Sequence, residues 1–234
     1  MEVQVAIGAS RKFVLRNALL LYGDGAATFA TLHPVVSRGE TSAPYLGPGQ
    51  LLTTAFLKAL AEGLGTRLRA EVLPDNVLAR TPDMIAWWTR SGRELMFFAG
   101  AEPEARQLNG GTYPHPALVF KVTGRELLVR ALEKDERPGG GTALKTAPYY
   151  NVDAAGRVCL GSMRVPEEVA VASLSGWRSS FFQSAFTHAS GTVRLTGHPR
   201  GFVGLWQSLK DSQDPFPIGF LTDAQETLRQ FVER

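Results

Sequence analysis

The sequence contains a single cysteine, Cys159, among its 234 residues. One cysteine can form no disulfide within the chain and cannot supply a multi-cysteine zinc or iron–sulfur site. Any chemistry at this position would be that of a free thiol in a reducing compartment. The open question is whether Cys159 is a small buried core residue, as lone cysteines often are, or a nucleophile held at the surface.

The chain also lacks a long hydrophobic run and a dense tract of one charge. Its first residues, MEVQVAIGAS, have neither the basic start nor the apolar run of a signal peptide, and no apolar stretch could span a bilayer. We therefore expect a cytoplasmic protein with no membrane partner. The net charge of +3 is small for this length, so direct DNA binding is not expected.

The sequence also lacks the motifs that would indicate a metal or cofactor site. The four histidines are isolated from one another, which argues against a metal site. The glycine runs at 110–111 and 139–141 lack the strand-to-helix context of a phosphate-binding loop. We expect no metal and no cofactor.

Hydrophobic patterning predicts an α+β protein. Residues 1–47 read as an N-terminal β extension built around the turn signal at residues 23–25, and residues 48–234 read as the main domain. Apolar residues at helical spacing predict a helix over 50–62, which the glycines at 63 and 65 would end.

The main domain shows strand signals first and helix signals later. MIAWW and ELMFF flank residues 89–93 (TRSGR), and ALVFKV and ELLVRAL flank residues 123–125, so two hairpins of an antiparallel meander are predicted. Residues 133–148 read as an insertion loop. An aromatic helix capped by Ser173 and a second helix over 202–209 should follow, and Thr222 with Gln225 forms a capping box for a last helix.

The residues before Cys159 favour a surface position for its thiol over a buried one. In PYYNVDAAGRVCLGS, residues 148–162, a polar turn precedes Cys159, and Gly156 permits a positive φ there. The thiol therefore stands just past a turn and not within a continuous apolar strand, so it should be reachable.

This stretch resembles the active-site segment of ubiquitin-conjugating enzymes, His-Pro-Asn-Ile-x-x-x-Gly-x-Ile-Cys-Leu. Asn151, Gly156, Cys159 and Leu160 match that pattern without a gap. The segment YPHP at 113–116, followed by ALVF, is similar to the Tyr-Pro-x-x-Pro-Pro turn of the same enzymes. The likeness is closer to divergent bacterial members of the superfamily, the B proteins of plasmid-borne PRTRC cassettes.

The resemblance implies an E2-like fold and roles for two residues. Cys159 would accept the C-terminal acyl group of a ubiquitin-like modifier as a thioester, and the small thiolate fraction of an ordinary cysteine suffices without a histidine base. Asn151 would donate an amide hydrogen bond to the oxyanion, or would organise the loop as an Asx turn; both roles are compatible.

Three further residues have roles that stay open. Tyr149 and Tyr150 replace the family histidine and proline; either they pack beneath the loop with their hydroxyls paired, or one takes part in proton transfer. His188, after the aromatic helix, is either a base for the incoming amine or a surface histidine at a helix end.

The expected function is that of a conjugating-enzyme-like protein loaded by a ThiF-related activating enzyme with a β-grasp ubiquitin-like protein. The alternative is an inactive scaffold that binds the modifier or a JAB-type peptidase of the cassette. A third hypothesis is association with plasmid DNA through the ParB-related member of the cassette, for which salt-dependent DNA binding would be the sign.

Overall fold

The computed structural model describes residues 4–6, 12–23, 28–37, 43–63, 72–100, 103–161, 163–189 and 194–234. The chain divides into two compact units, Met1–Glu71 and Val72–Arg234. Each unit is described by itself.

The first unit contains short antiparallel strands and one helix. Its elements are β1 (Gln4–Ala6), β2 (Lys12–Val14), β3 (Asn17–Gly23), β4 (Thr28–Val36), β5 (Tyr45–Leu46), β6 (Gln50–Leu51) and α1 (Thr54–Gly63). β1 pairs with β2, and β4 pairs with β3, β5 and β6. The predicted β character of this region is confirmed, although residues 24 and 25 of the predicted turn lie outside the described residues.

Helix α1 begins later than its apolar pattern predicts. Gln50 and Leu51 pair with Leu32 and Thr31 of β4, so the start of the predicted helix is strand. Gly63 is the last residue of α1 within the described part of the chain, so the predicted stop at the glycines 63 and 65 stays a prediction.

The second unit contains most of the strands and helices. Its elements are β7 (Val77–Arg80), β8 (Met84–Thr89), β9 (Gly92–Phe98), α2 (Pro103–Arg106), β10 (Gly111–His115), β11 (Leu118–Thr123), β12 (Glu126–Ala131), β13 (Ala143–Thr146), α3 (Leu174–Gln183), β14 (Ala185–Phe186), α4 (Gly201–Leu209), β15 (Asp223–Thr227) and α5 (Leu228–Glu233). A six-stranded sheet has the order β15-β13-β12-β11-β8-β7, and a three-stranded sheet has the order β10-β9-β14.

One predicted hairpin is confirmed and the other is wrong. β11 and β12 are joined by a two-residue turn in which Gly124 has φ +57°, as expected for a tight hairpin. β8 and β9, in contrast, do not pair: both run antiparallel to residues 111–123 in a single register, with Leu118 opposite Thr89 and His115 opposite Gly92. Within the TRSGR stretch, residues 90 and 91 thus separate two strands that share one register, opposite Pro116, which has no N–H to donate.

Two other boundaries differ from the prediction. Residues 143–146 of the predicted 133–148 loop form β13, which pairs with β12 and β15. The final helix, α5, is opened by the capping box of Thr227 and Gln230, so the prediction for Thr222 and Gln225 is wrong. The two motifs have the same spacing, but the first lies at the start of strand β15.

The predicted aromatic helix and the helix over 202–209 are present as α3 and α4. The aromatic helix is shorter than predicted, because Phe186 of its stripe lies in β14, and Ser173 makes no side-chain cap hydrogen bond, so that predicted cap is wrong. Buried side chains lie on both faces of the six-stranded sheet. Trp87 and Phe120 stack at a ring-centroid distance of 5.2 Å on the face packed against α3. Trp88 and Val119 lie in a second cluster, with Phe231 of α5. The unit is an α+β domain, as predicted.

Candidate functional site

Residues 151–159 form a tight antiparallel hairpin, called here the Cys159 hairpin. The Cys159 N–H donates to the Asn151 carbonyl at 2.7 Å, and Val152 faces Val158 in a β-bridge. The Asp153 N–H donates to the Arg157 carbonyl at 3.0 Å. The cysteine and asparagine singled out by the sequence therefore stand directly opposite each other.

The sequence determines the turn of this hairpin through two residues. The Asp153 carboxylate accepts the Arg157 N–H at 2.8 Å, which closes the turn. Gly156 has φ +84°, and a Cβ at this position would lie 2.9 Å from the Val129 carbonyl oxygen. The glycine is thus required by both its backbone conformation and its close approach to β12.

Backbone hydrogen bonds attach the hairpin to the edge of β12. The Val158 N–H donates to the Leu127 carbonyl, and the Val129 N–H donates to the Gly156 carbonyl, both at 2.8 Å. The hairpin is therefore continuous with the six-stranded sheet.

Cys159 is exposed, so it is not a buried core residue. Its neighbour Val158 is buried, and Leu160 packs partly buried against the main core cluster. Side chains alternate between the two sides of an extended chain, so burial of both neighbours leaves the cysteine at the surface.

Asn151 lies at the junction of the hairpin with residues 185–188. Its Nδ2 donates to the Ala185 carbonyl at 2.8 Å, and its Oδ1 accepts from the Thr187 N–H at 3.1 Å and the Thr187 hydroxyl at 2.9 Å. Its own N–H donates to the His188 carbonyl at 2.8 Å. Asn151 is 6% exposed and has φ +63°, a left-handed conformation that asparagine tolerates better than most residues.

The same contacts favour one tautomer of His188. The Thr187 hydroxyl lies 2.9 Å from Asn151 Oδ1 and 2.8 Å from His188 Nδ1, and when it donates its hydrogen to Oδ1 it accepts from an Nδ1–H. A neutral His188 ring then carries its lone pair on Nε2. The side chain is exposed, and with Thr187 it lines a groove of about 630 Å³ whose lining does not include Cys159.

Tyr149 lies fully buried in the aromatic core. Its ring stacks on Phe186 at 5.6 Å and meets the edge of Phe181 at 5.1 Å. Its hydroxyl has no hydrogen-bond partner among the described residues, contrary to the expectation that both tyrosine hydroxyls are paired. Burial raises the pKa of Tyr149 well above its ordinary value, so the phenol stays protonated.

Tyr150 is half-buried and stacks on Phe202 of α4 at a ring-centroid distance of 3.8 Å. The preceding carbonyl, of Pro148, accepts a hydrogen bond from Trp206 Nε1 at 3.0 Å. The two tyrosines therefore pack beneath the loop, as predicted, and tie it to α3 and α4.

Three charged residues at the back of the hairpin were missed in the sequence. Arg130 on β12 donates to Glu226 at 2.6 Å and to the Ala154 carbonyl at 2.8 Å, although it is 2% exposed. Arg234 contacts the Ala155 carbonyl and Glu226. Burial lowers the pKa of Arg130, and the hydrogen bond to Glu226 opposes that shift. The signal that could have revealed the site is the lone arginine in the apolar strand ELLVRAL.

A second buried polar group lies beneath the aromatic core. His115 donates from Nδ1 to the Pro116 carbonyl at 2.8 Å and accepts at Nε2 from Arg178, 3.4 Å away. Arg178 also pairs with Glu94. Burial is the main cause that lowers the pKa of His115, so the ring is neutral.

Among the described residues, no three histidine, cysteine or acidic side chains come together in a way that could hold a metal ion. In the same part of the chain, no helix has the length and apolar character needed to cross a bilayer.

The fold and the exposed cysteine define an α+β protein with a surface thiol on a hairpin backed by an asparagine. The model of prokaryotic E2 family D matches residues 54–224, well over half of the chain. The chain belongs to this family of prokaryotic E2-like proteins. No curated protein and no solved structure matches the chain.

Proposed function

We propose that this protein is a conjugating enzyme that carries a ubiquitin-like modifier as a thioester on Cys159. The observation that carries the proposal is the exposed thiol opposite Asn151 in a hairpin held to the sheet, in a chain that belongs to a prokaryotic E2 family. Membership of that family implies an activating enzyme and a modifier as partners in general. In finer detail we propose an E2-like fold for this domain, with a ThiF-related enzyme and a β-grasp modifier from a PRTRC-type cassette as its partners.

The first step is a transthioesterification. The Cys159 thiolate attacks the thioester carbonyl of the modifier on the activating enzyme; a new carbon–sulfur bond forms, and the enzyme's own thiolate leaves. One thiolate is consumed and another is released, so the step needs no general base beyond solvent. The exposure of Cys159 on the surface supports such an exchange.

The second step is discharge onto an amine. The amine attacks the same carbonyl, loses a proton, and expels the Cys159 thiolate. We assign the base to His188 Nε2, because Thr187 holds Nδ1–H and leaves the lone pair on Nε2. Backbone hydrogen bonds join Cys159 to Asn151 and Asn151 to His188. The segments that carry Cys159 and His188 are therefore two strand spacings apart, roughly 10 Å, which is close enough for an acceptor between them.

Asn151 has two roles in this proposal, one structural and one in stabilising the oxyanion. Its observed contacts organise the hairpin and residues 185–188. Nδ2 carries two N–H groups, of which one is used by Ala185, and we assign the other to the developing oxyanion.

Loading is tested with the cognate activating enzyme, its modifier and ATP, followed by intact-mass measurement. We expect an adduct that thiol reductants remove, none in Cys159→Ala, and a reductant-resistant ester in Cys159→Ser. An adduct of unchanged amount in Cys159→Ala would contradict the proposal.

The base is tested by discharging the loaded protein onto lysine and onto hydroxylamine, which is already unprotonated at neutral pH. His188→Gln should slow discharge onto lysine by roughly 10²-fold or more, the usual contribution of general base catalysis. Discharge onto hydroxylamine should change little. Equal slowing with both amines would exclude His188 as the base.

The inactive scaffold keeps one observation in its favour, the loss of the family histidine to the buried Tyr149. In that case Cys159 would load no modifier in the assay above, while the intact protein would still bind the modifier or a JAB-type peptidase. Binding in isothermal titration together with no adduct in the loading assay would identify the scaffold, whereas an adduct on Cys159 would exclude it.

A further inference from the structure

The tip of the Cys159 hairpin is held by charged residues from distant parts of the chain. Arg130 Nη2 donates to the Ala154 carbonyl at 2.8 Å, and Arg234 donates to the next carbonyl, that of Ala155. Glu226 accepts from both arginines, at 2.6 Å from Arg130 and 3.2 Å from Arg234.

The composition of the tip explains why it needs such contacts. Its residues, Ala154, Ala155 and Gly156, offer little side-chain surface for packing, so the hairpin cannot be held there by apolar burial. Hydrogen bonds from a charged donor to a carbonyl are stronger than neutral ones. The two guanidinium groups therefore supply the restraint that side-chain packing cannot.

The burial of Arg130 is difficult to explain by stability alone. The guanidinium is 2% exposed, and an ion pair at such a site is often no more stabilising than apolar residues of the same shape. Its neighbours across the strands, Val119 and Thr146, are uncharged. The buried charge of Arg130 is therefore better explained by its hydrogen bond to the hairpin tip than by a contribution to the stability of the core.

We propose that Arg130, Glu226 and Arg234 form a clamp that positions the Cys159 hairpin for acyl transfer. The three are positioning residues: none is assigned a contact with the modifier or the acceptor. The role in acyl transfer rests on the proposed function, whereas the restraint on the hairpin can be measured without any partner.

The restraint is tested by hydrogen exchange of the Gly156, Val158 and Cys159 amides in the intact protein. All three N–H groups are hydrogen-bonded within the hairpin or to β12. In Arg234→Ala and Arg130→Met these amides should exchange about tenfold faster or more, because a charge-assisted hydrogen bond to the tip is lost. The matched control is Asp223→Asn. Asp223 lies on β15, as Glu226 does, and the substitution removes its ion pair with Lys145 of β13 without changing a contact of the hairpin.

The positioning role is tested by separating loading from discharge. Discharge of the loaded thioester should slow about tenfold in Arg234→Ala, from the same loss of restraint, while the concentration dependence of loading stays near wild type. Arg234→Lys keeps a cationic donor for Ala155 and should recover much of the rate.

Two outcomes would overturn the clamp. Exchange in both arginine variants that matches Asp223→Asn would show that the hairpin is held without them. Faster exchange with normal discharge would show a structural restraint with no part in transfer. If the wild-type protein forms no thioester, the proposed function fails, and the exchange measurement still decides whether the clamp restrains the hairpin.

Discussion

At the scale of single residues, Asn151 joins the two segments of the candidate site. We expect Asn151→Ala to lower the free energy of unfolding by about 2–4 kcal/mol, since it leaves the Ala185 carbonyl and the Thr187 N–H without a partner and puts alanine at a positive φ. Asn151→Gly is the matched control and should lose about 1 kcal/mol less, because glycine has no strain at this φ. Urea unfolding measures both, and equal stability of the alanine variant and wild type would contradict the assigned contacts.

Tyr149 offers the opposite prediction, a gain in stability. Its buried hydroxyl has no partner among the described residues, and an unsatisfied buried polar group costs about 1–3 kcal/mol. Tyr149→Phe keeps the ring contacts and should raise the free energy of unfolding by about 1 kcal/mol. Discharge should be unchanged, and a slower discharge in this variant would revive a proton-transfer role for the phenol.

His115 predicts how stability depends on pH. Its folded pKa is lowered by burial and by Arg178, with Glu94 and Asp135 opposing, so the unfolded state binds the proton more readily. The stabilisation from the neutral ring is complete above the unfolded pKa of about 6.5 and is lost as the pH falls below it toward the folded value.

The measurement is the urea midpoint of wild type and His115→Gln between pH 7.5 and 5. Wild type should lose stability toward pH 5, by up to about 1.4 kcal/mol per pH unit, and the glutamine variant should show a shallower slope. The comparison uses slopes, so a constant loss of stability in the variant does not affect it. Parallel slopes would mean that His115 does not titrate differently on folding.

The residues of the hairpin were predictable because their signals are local. Asn151, Gly156 and Cys159 lie within nine residues of one another, and each position has a backbone or chemical requirement that the sequence displays. The partners of Asn151 at residues 185–188 were not predictable, because they depend on how α3 returns the chain to β9.

At the scale of elements, Gly156 and Gly161 allow a direct comparison around Cys159. Both have positive φ, but a Cβ at Gly156 would meet the Val129 carbonyl at 2.9 Å, whereas no atom of the described residues lies within 4 Å of one at Gly161. Gly161→Ala should cost about 1 kcal/mol from backbone strain alone, and Gly156→Ala clearly more, because strain and displacement from β12 add. Thermal unfolding tests the order, and equal losses would show that the hairpin can move away from β12 freely.

The errors at this scale share one cause. TRSGR has turn-forming residues, and Thr222 with Gln225 has the spacing of a capping box, yet both segments pair in sheets. Pairing with strands far along the chain decided each case, and a short local pattern contains no information on such partners.

At the scale of the whole molecule, every buried hydrophobic side chain among the described residues lies between Val77 and Phe231. We therefore expect residues 72–234 to unfold cooperatively without the first unit. A chain of residues 48–234, which adds α1 and the start of the family match, tests the predicted domain boundary at 47/48. Loss of cooperative unfolding in the shorter chain alone would place α1 within the main domain.

The α+β class and the order of the main helices could be read from hydrophobic spacing, because burial on one side of an element leaves a periodic trace. The charged contacts behind the hairpin could not be predicted from the sequence. Arg130 and Glu226 are 96 residues apart, and only the completed sheet brings them together.

That separation also sets the order in which these contacts can form during synthesis. Glu226 and Arg234 are added well after Cys159, so the nascent hairpin can pair with β12 before either of these side chains is available. The ion pairs of Glu226 behind the tip form only once strand β15 has joined the sheet. The ionic contacts behind Cys159 would thus complete a hairpin that is already paired with the sheet.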